Sequence, residues 1–253
     1  MPRNSFTDCG REDFVGDPIL KFTKNYIFVS VNQRTREMSL SLLEEYIESG
    51  DSVAIDHLLH NNPTLGRQNT SHDISPLLLA CYYNKPKIIK VLLKHVQTID
   101  IYEAAAIGLE DQVRNLIEKN SSLLSSYSAH GFTALGMACH FGNEEIVRYL
   151  LLKGADANQA SENGYAVNPL YTAVSSNFEA IAKLLVEGGA EVNIVQAGNQ
   201  TPLHAAAENG NIEMLILLLE NGASVDVKND NGDRPSDVAA ERGHHEIANI
   251  LQV

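Results

Sequence analysis

The sequence predicts an all-α solenoid of stacked helix–turn–helix units, each followed by a β-hairpin finger. Three observations carry that expectation. The segment Thr201-Pro202-Leu203-His204-Ala205-Ala206-Ala207, closed by Gly210, returns in weaker copies beginning at Ser75, Thr133, Asn168 and Arg234. The copies are regularly spaced: 33 residues separate Asn168 from Thr201 and Thr201 from Arg234, and 35 separate Thr133 from Asn168. Each copy is followed by apolar residues at helical spacing. A period of this length marks a repeat array, in which every unit packs only on its neighbours.

The clearest copy dictates its own local structure. Thr201 is an N-cap residue, and Pro202 falls in the first turn, where a missing N–H costs nothing. Leu203, Ala206 and Ala207 form a small-residue face, and Gly210 ends the helix in left-handed backbone. Asn211 opens the second helix, with Ile212, Leu215, Leu218 and Leu219 on one face and Gly222 beyond its end. The finger that follows turns at Asn231-Gly232, so Gly232 and the equivalent Gly131 are expected at positive φ. Asp73 and Asn199 occupy the same site and tolerate that conformation better than most residues.

Earlier units keep the interior and lose the motif. Ile101, Ala104, Ala105 and Gly108 match the first helix of a unit, and Val113, Leu116 and Ile117 the second. Another unit begins near Ser41, with Gly50, Ile55, Leu58 and Leu59 in register, 34 residues before Ser75. The step from Ser75 to Ile99 is only 24 residues, and both helices are present within it. The finger is therefore expected to be shortened near 95–99, and residues 38–253 to hold about seven units. The longer step at Thr133 predicts a two-residue insertion within Glu162–Val167. Glu241, Arg242, His244, His245 and Asn249 give the last unit the polar face of a cap. Residues 1–37 follow no repeat; they are expected to be a separate leading segment, disordered or carrying a strand at Tyr26–Val31, or else to precede a true start at Met38.

Composition narrows the function. A net charge of −13 opposes binding to nucleic acid, whose phosphates require a basic face. Cys9, Cys81 and Cys139 form neither a disulfide framework nor a zinc spacing, and Cys81 and Cys139 fall at the small packing position of Ala207. The apolar runs, Met214–Leu219 among them, are far too short to span a membrane, and the N-terminus lacks the pattern of a secretory signal. A cytoplasmic monomer with no membrane contact is the expectation.

The Thr201 segment is the ankyrin signature, and from about Ile99 onward the chain resembles small stand-alone bacterial ankyrin-repeat proteins. The resemblance is carried by Asp100-Ile101-Tyr102-Glu103-Ala104-Ala105-Ala106-Ile107-Gly108, by Gly131-Phe132-Thr133-Ala134-Leu135-Gly136-Met137-Ala138, and by Asn168-Pro169-Leu170-Tyr171-Thr172-Ala173-Val174 after a lengthened finger. It implies an ankyrin-repeat solenoid without assigned catalytic residues or cofactor.

The residues themselves offer no catalytic site. No phosphate loop, dinucleotide fingerprint, zinc-protease helix or nucleophile elbow is present. Cys139 and His140 are adjacent, so on a helix they point about 100° apart and cannot act as nucleophile and base. His244-His245 has no further ligand at matching spacing, so no metal is expected. A partner protein would meet the fingertips and the exposed ends of the first helices. There, Tyr82/Tyr83, Ala106/Ile107 and His140/Phe141 line up an apolar stripe between polar neighbours. Tyr82, Tyr83, Ile107, His140 and Phe141 are thus the expected contact residues, with His130 and Tyr165 on fingertips at the rim. A non-catalytic protein-binding scaffold is the leading expectation; a regulatory or inhibitory subunit of one enzyme, or a secreted host-directed effector, are the alternatives.

Overall fold

The computed structural model describes residues 38–252; the expectations for 1–37, including the Tyr26–Val31 strand, lie outside them. The described residues form seven helix pairs. A helix over residues 38–49 (α1) pairs with α2 (Ser52–Asn61), α3 (Pro76–Tyr82) with α4 (Pro86–His95), and α5 (Ile101–Ile107) with α6 (Glu110–Lys119). Then come α7 (Ala134–His140) with α8 (Glu144–Leu152), α9 (Pro169–Ser175) with α10 (Glu179–Glu187), α11 (Pro202–Asn209) with α12 (Ile212–Glu220), and α13 (Pro235–Glu241) with α14 (His245–Ile250). From α3 to α13 each first helix packs on the next, while the second helices pack on one another as α2 on α4 and in a separate row from α6 to α12.

Short helices survive here because their ends are satisfied. The side chains of Ser75, Thr133, Asn168 and Thr201 each accept a hydrogen bond from the backbone N–H three residues on. Asp100 and Glu103 form a reciprocal capping box. Every first helix then stops at a left-handed residue, either glycine or, at Asn84 and Asn177, asparagine. The stacking explains the glycines. The residue just after one cap lies on the cap of the preceding unit: Asn143 on Gly108, Phe178 on Gly142, His244 on Gly210. A Cβ on Gly142 would come within 2.7 Å of the Phe178 ring. The open carbonyls at first-helix ends are taken up across junctions of this kind. Asn143 Nδ2 donates to the carbonyls of Ala105 and Ala106 at 2.7 and 3.0 Å, and Asn209 Nδ2 to those of Val174 and Ser175.

The fingers differ from the β-hairpins that the sequence suggests. They are turns, with one isolated antiparallel bridge (Gln196 with Gln200) and no extended strand among the described residues. Each tip is closed by one backbone bond to a carbonyl four residues on: Thr70 to Ile74, Ser128 to Phe132, Gln196 to Gln200 and Asn229 to Asp233. At the lengthened finger the same bond runs from Ser161 to Val167, so the two extra residues are absorbed inside the tip. Gly131, Gly232, Asp73 and Asn199 all have positive φ. The fifth tip places Ala166 there, at φ 48°, a region costly for a residue with a Cβ.

The interior is two clusters rather than one strip. Leu43, Ile55, Leu77, Ile88 and Leu92 belong to the first, and Cys81 of α3 together with residues from Ile101 to Leu251 to the second. Between His95 and Ile101 no finger intervenes, and the partly buried Ile89, Ile99 and Ile107 touch both sides. Arg67, from a short 3-10 turn (Pro63–Arg67) after α2, crosses this seam. Its guanidinium lies 3.4 Å from the buried carboxylate of Glu103 and donates to Thr98 Oγ1 at 2.6 Å.

Candidate functional site

The inner face is built from the exposed ends of the first helices and the fingers beside them. Its centre is aromatic. Tyr82 lies 5.6 Å from the His140 ring and 5.1 Å from Phe141, while His140 and Phe141 meet edge-on at 4.8 Å. These are favourable edge and tilted geometries for π systems. The rings belong to α3 and to the end of α7, which are two units apart. They meet because the position between them, two residues before Gly108, holds the small, buried Ala106. Tyr82 remains 47% exposed and His140 also reaches solvent, so the cluster is a surface feature.

The other expected residues are placed around it. Tyr83, the C-cap of α3, is 39% exposed. Ile107 and Phe141 are half-buried and pack against the interior, which makes them supports of the cluster as well as parts of its surface. His130 is half-buried at its fingertip, in an open cleft shared with Phe132 and Glu162. Tyr165 is exposed on the lengthened fingertip, where its carbonyl accepts from Ala197 N–H. The ring contacts bring Tyr82, His140 and Phe141 together; Tyr165 stands apart on its own finger.

Electrostatics make this an uncharged centre. Burial of its ring against the neighbouring aromatics lowers the His140 pKa, so the imidazole is neutral at pH 7. Burial likewise raises the Tyr82 phenol. Cys139 is fully buried, and burial drives its thiol pKa upward, while Cys81 is pushed up to about 12. Neither thiol supplies a thiolate near neutrality. Among the described residues no group of three or more His, Cys, Asp or Glu is placed to hold a metal, and no helix is long and apolar enough to cross a membrane.

Next to the rings lies a cleft of about 290 Å³ that the sequence reading missed. Tyr82 and His140 form one rim, Tyr171 and Ser175 another, with Met137 and Thr172 inside and the fingers at Ser161 and Gln196 alongside. A signal for it was present. The third residue of the first helix is Glu103 in α5, Tyr171 in α9, His204 in α11 and Asp237 in α13, but Gly136 in α7. In α11 the His204 ring fills this space, its Nδ1 accepting from Thr201 N–H and its Nε2 lying 3.2 Å from the Asp233 carbonyl. In α7 no side chain occupies it.

A stacked helix-pair array of this kind defines a repeat solenoid. The profile of ankyrin repeats, in three copies, matches residues 101–196 and 189–252, so the chain belongs to the ankyrin-repeat family. It is 33% identical over 133 residues to an ankyrin repeat protein of Rickettsia felis, covering 51% of this chain and 58% of that protein. It is 36% identical over 95 residues to the rat "Ankyrin repeat and SAM domain-containing protein 6", 38% of this chain but 11% of that one. Against the Saccharomyces cerevisiae "Probable 26S proteasome regulatory subunit p28" it is 28% identical over 178 residues, 70% of this chain and 68% of that one. The chain thus spans a small fraction of the rat protein and little more than half of the Rickettsia one. Ankyrin repeats generally mediate contacts between proteins, and the family is generally non-catalytic.

Proposed function

We propose that this chain is a non-catalytic, monomeric cytoplasmic scaffold that binds one partner protein on its inner face. The observation that carries the reading is the exposed ring cluster of Tyr82, His140 and Phe141. Apolar rings held in fixed orientation, at low entropic cost, are what interface anchors are made of. Tyr83 and Ile107 extend this contact surface, and His130 and Tyr165 form its rim, where contacts shape selectivity more than affinity. The net charge of −13 turns the surface away from nucleic acid.

A second reading has one observation behind it. The yeast relative that aligns with 70% of this chain is named as a regulatory subunit, which favours a partner that is itself an enzyme assembly.

The test begins with a partner captured from the source cell on the immobilised full-length chain and identified by mass spectrometry. Changing Tyr82→Ser and Tyr83→Ser together, at two exposed positions, should weaken that complex at least about tenfold. The melting temperature should change little. Undiminished binding by the double variant would place the contact elsewhere and overturn the proposal.

A further inference from the structure

The cleft beside the ring cluster exists because α7 carries glycine where the other units from α5 to α13 carry a side chain. Glycine inside a helix sacrifices roughly 0.5–1 kcal/mol relative to alanine. Nothing in the backbone requires it: Gly136 has no positive φ. A Cβ there would press only on Thr133 Oγ1, at 3.2 Å, and the matching pair of Thr201 and His204 accommodates a much larger group. What the glycine provides is space.

The walls of that space describe its occupant. Met137 and the rings of Tyr82, His140 and Tyr171 present apolar surface. About 290 Å³ is at the lower edge of the volumes that hold small ligands, enough for one large side chain. The Gln196 side chain lines the cleft with Tyr171, and its Oε1 is buried without a hydrogen-bond partner. An orphan acceptor of this kind is costly until a donor arrives. A peptide N–H beside an anchoring side chain is such a donor, whereas a hydrocarbon ligand is not. Charge sets the rest. Residues 133–252 hold 6 Lys and Arg against 16 Asp and Glu. On the inner face, the exposed Glu208 and Glu241 take, in the last two units, the position that Tyr82 and His140 hold in theirs; Glu208 is paired with Arg242, which leaves this end of the face with one net negative charge. Burial raises the pKa of the Tyr171 phenol, and Glu208 is near enough to add to that effect.

We infer that the Gly136 cleft is an anchor pocket for one Leu- or Phe-sized side chain on a positively charged protein segment that crosses the inner face toward α13. The inference deepens the protein-binding reading and rests on it.

Short synthetic peptides test it, added to the full-length chain and followed by nuclear magnetic resonance of the Met137 methyl and of backbone amides. The peptides carry Leu, Phe or Ala at their centre and either Lys/Arg or Glu flanks. Leu- and Phe-centred basic peptides should shift Met137 and Thr172, and Ala-centred ones should bind about tenfold more weakly. Raising salt from about 50 mM to about 500 mM should weaken binding. Gly136→His should fill the cleft as His204 fills its own, keeping or raising the melting temperature while reducing peptide binding at least about tenfold. Ser175→Trp should block the cleft from its exposed rim without touching the interior. If both variants bind peptide normally while Tyr82→Ser/Tyr83→Ser does not, the inner-face reading stands and the anchor pocket falls. If no inner-face resonance moves and the double variant still holds the captured partner, both fall. Equal binding of Glu-flanked peptides, or binding of benzene but of no peptide, would also overturn the inference.

Discussion

The first two units and the last five are built to the same plan and end up as different materials. Residues 38–99 are nearly balanced, with 5 Lys and Arg against 6 Asp and Glu, whereas residues 100–252 carry 8 against 21. The first pair has its own hydrophobic cluster, and the family profile begins only at residue 101. The difference starts at one place. With no finger between α4 and α5, the junction loses the turn that elsewhere ties neighbouring units together, and an ion pair bridges it instead. In a one-dimensional array, stability is a sum of unit and junction terms, so one altered junction is enough to divide the whole.

Four variants would break or sharpen that contrast. Deleting residues 234–253 removes the helix pair that covers α11 and should cost several kcal/mol, because a terminal cap shields apolar surface. Hydrogen exchange should show the loss confined to residues beyond Ile99, with protection in α2–α4 retained. A uniform loss would mean that the two clusters unfold as one. A smaller effect is expected at the seam. Arg67→Met leaves the Glu103 carboxylate, 3% exposed, without its cation. Removing a partner from a fully buried pair costs about 3–5 kcal/mol, and since Arg67 is partly exposed we expect about 1–2 kcal/mol. Separate unfolding transitions for the two clusters should become resolvable by calorimetry. An unchanged single transition would show that Ile89, Ile99 and Ile107 carry the coupling alone. The smallest effects lie at the fingertips. Gly232→Val should cost about 1–2 kcal/mol, while Ala166→Gly, at φ 48°, should gain up to about 1 kcal/mol in thermal unfolding. A gain from both, or a loss from both, would remove left-handed strain as the explanation.

Much of this architecture was legible residue by residue. Thr133, Asn168 and Thr201 act as caps because a hydroxyl or amide oxygen beside a helix start reaches the third N–H on, a strictly local geometry. Asp73, Gly131, Asn199 and Gly232 mark turns for the same local reason. Ala166 was not legible, since alanine carries no turn signal and its conformation is imposed by the longer finger around it. The fingers were anticipated as hairpins, but four-residue closures leave no length for a strand ladder. At the candidate site, the positions of Tyr82, His140 and Phe141 two and one residues before the first-helix caps could be read from register alone. Their contact could not, because it depends on Ala106 lying buried between units that are far apart in sequence.

What the sequence determined by itself is periodic: the helix pairs, their caps and stops, the small residues between stacked helices, and the acidic balance. These follow from short-range sterics and hydrogen bonding, which repeat whenever the motif repeats. What only the tertiary structure decided is where the period fails. Two clusters instead of one, Arg67 reaching Glu103, rings meeting over Ala106 and an empty volume at Gly136 all depend on which side chains face one another across units. A missing finger or a missing side chain writes only an absence into the sequence, and its consequence is set by whatever the neighbouring units bring to the gap.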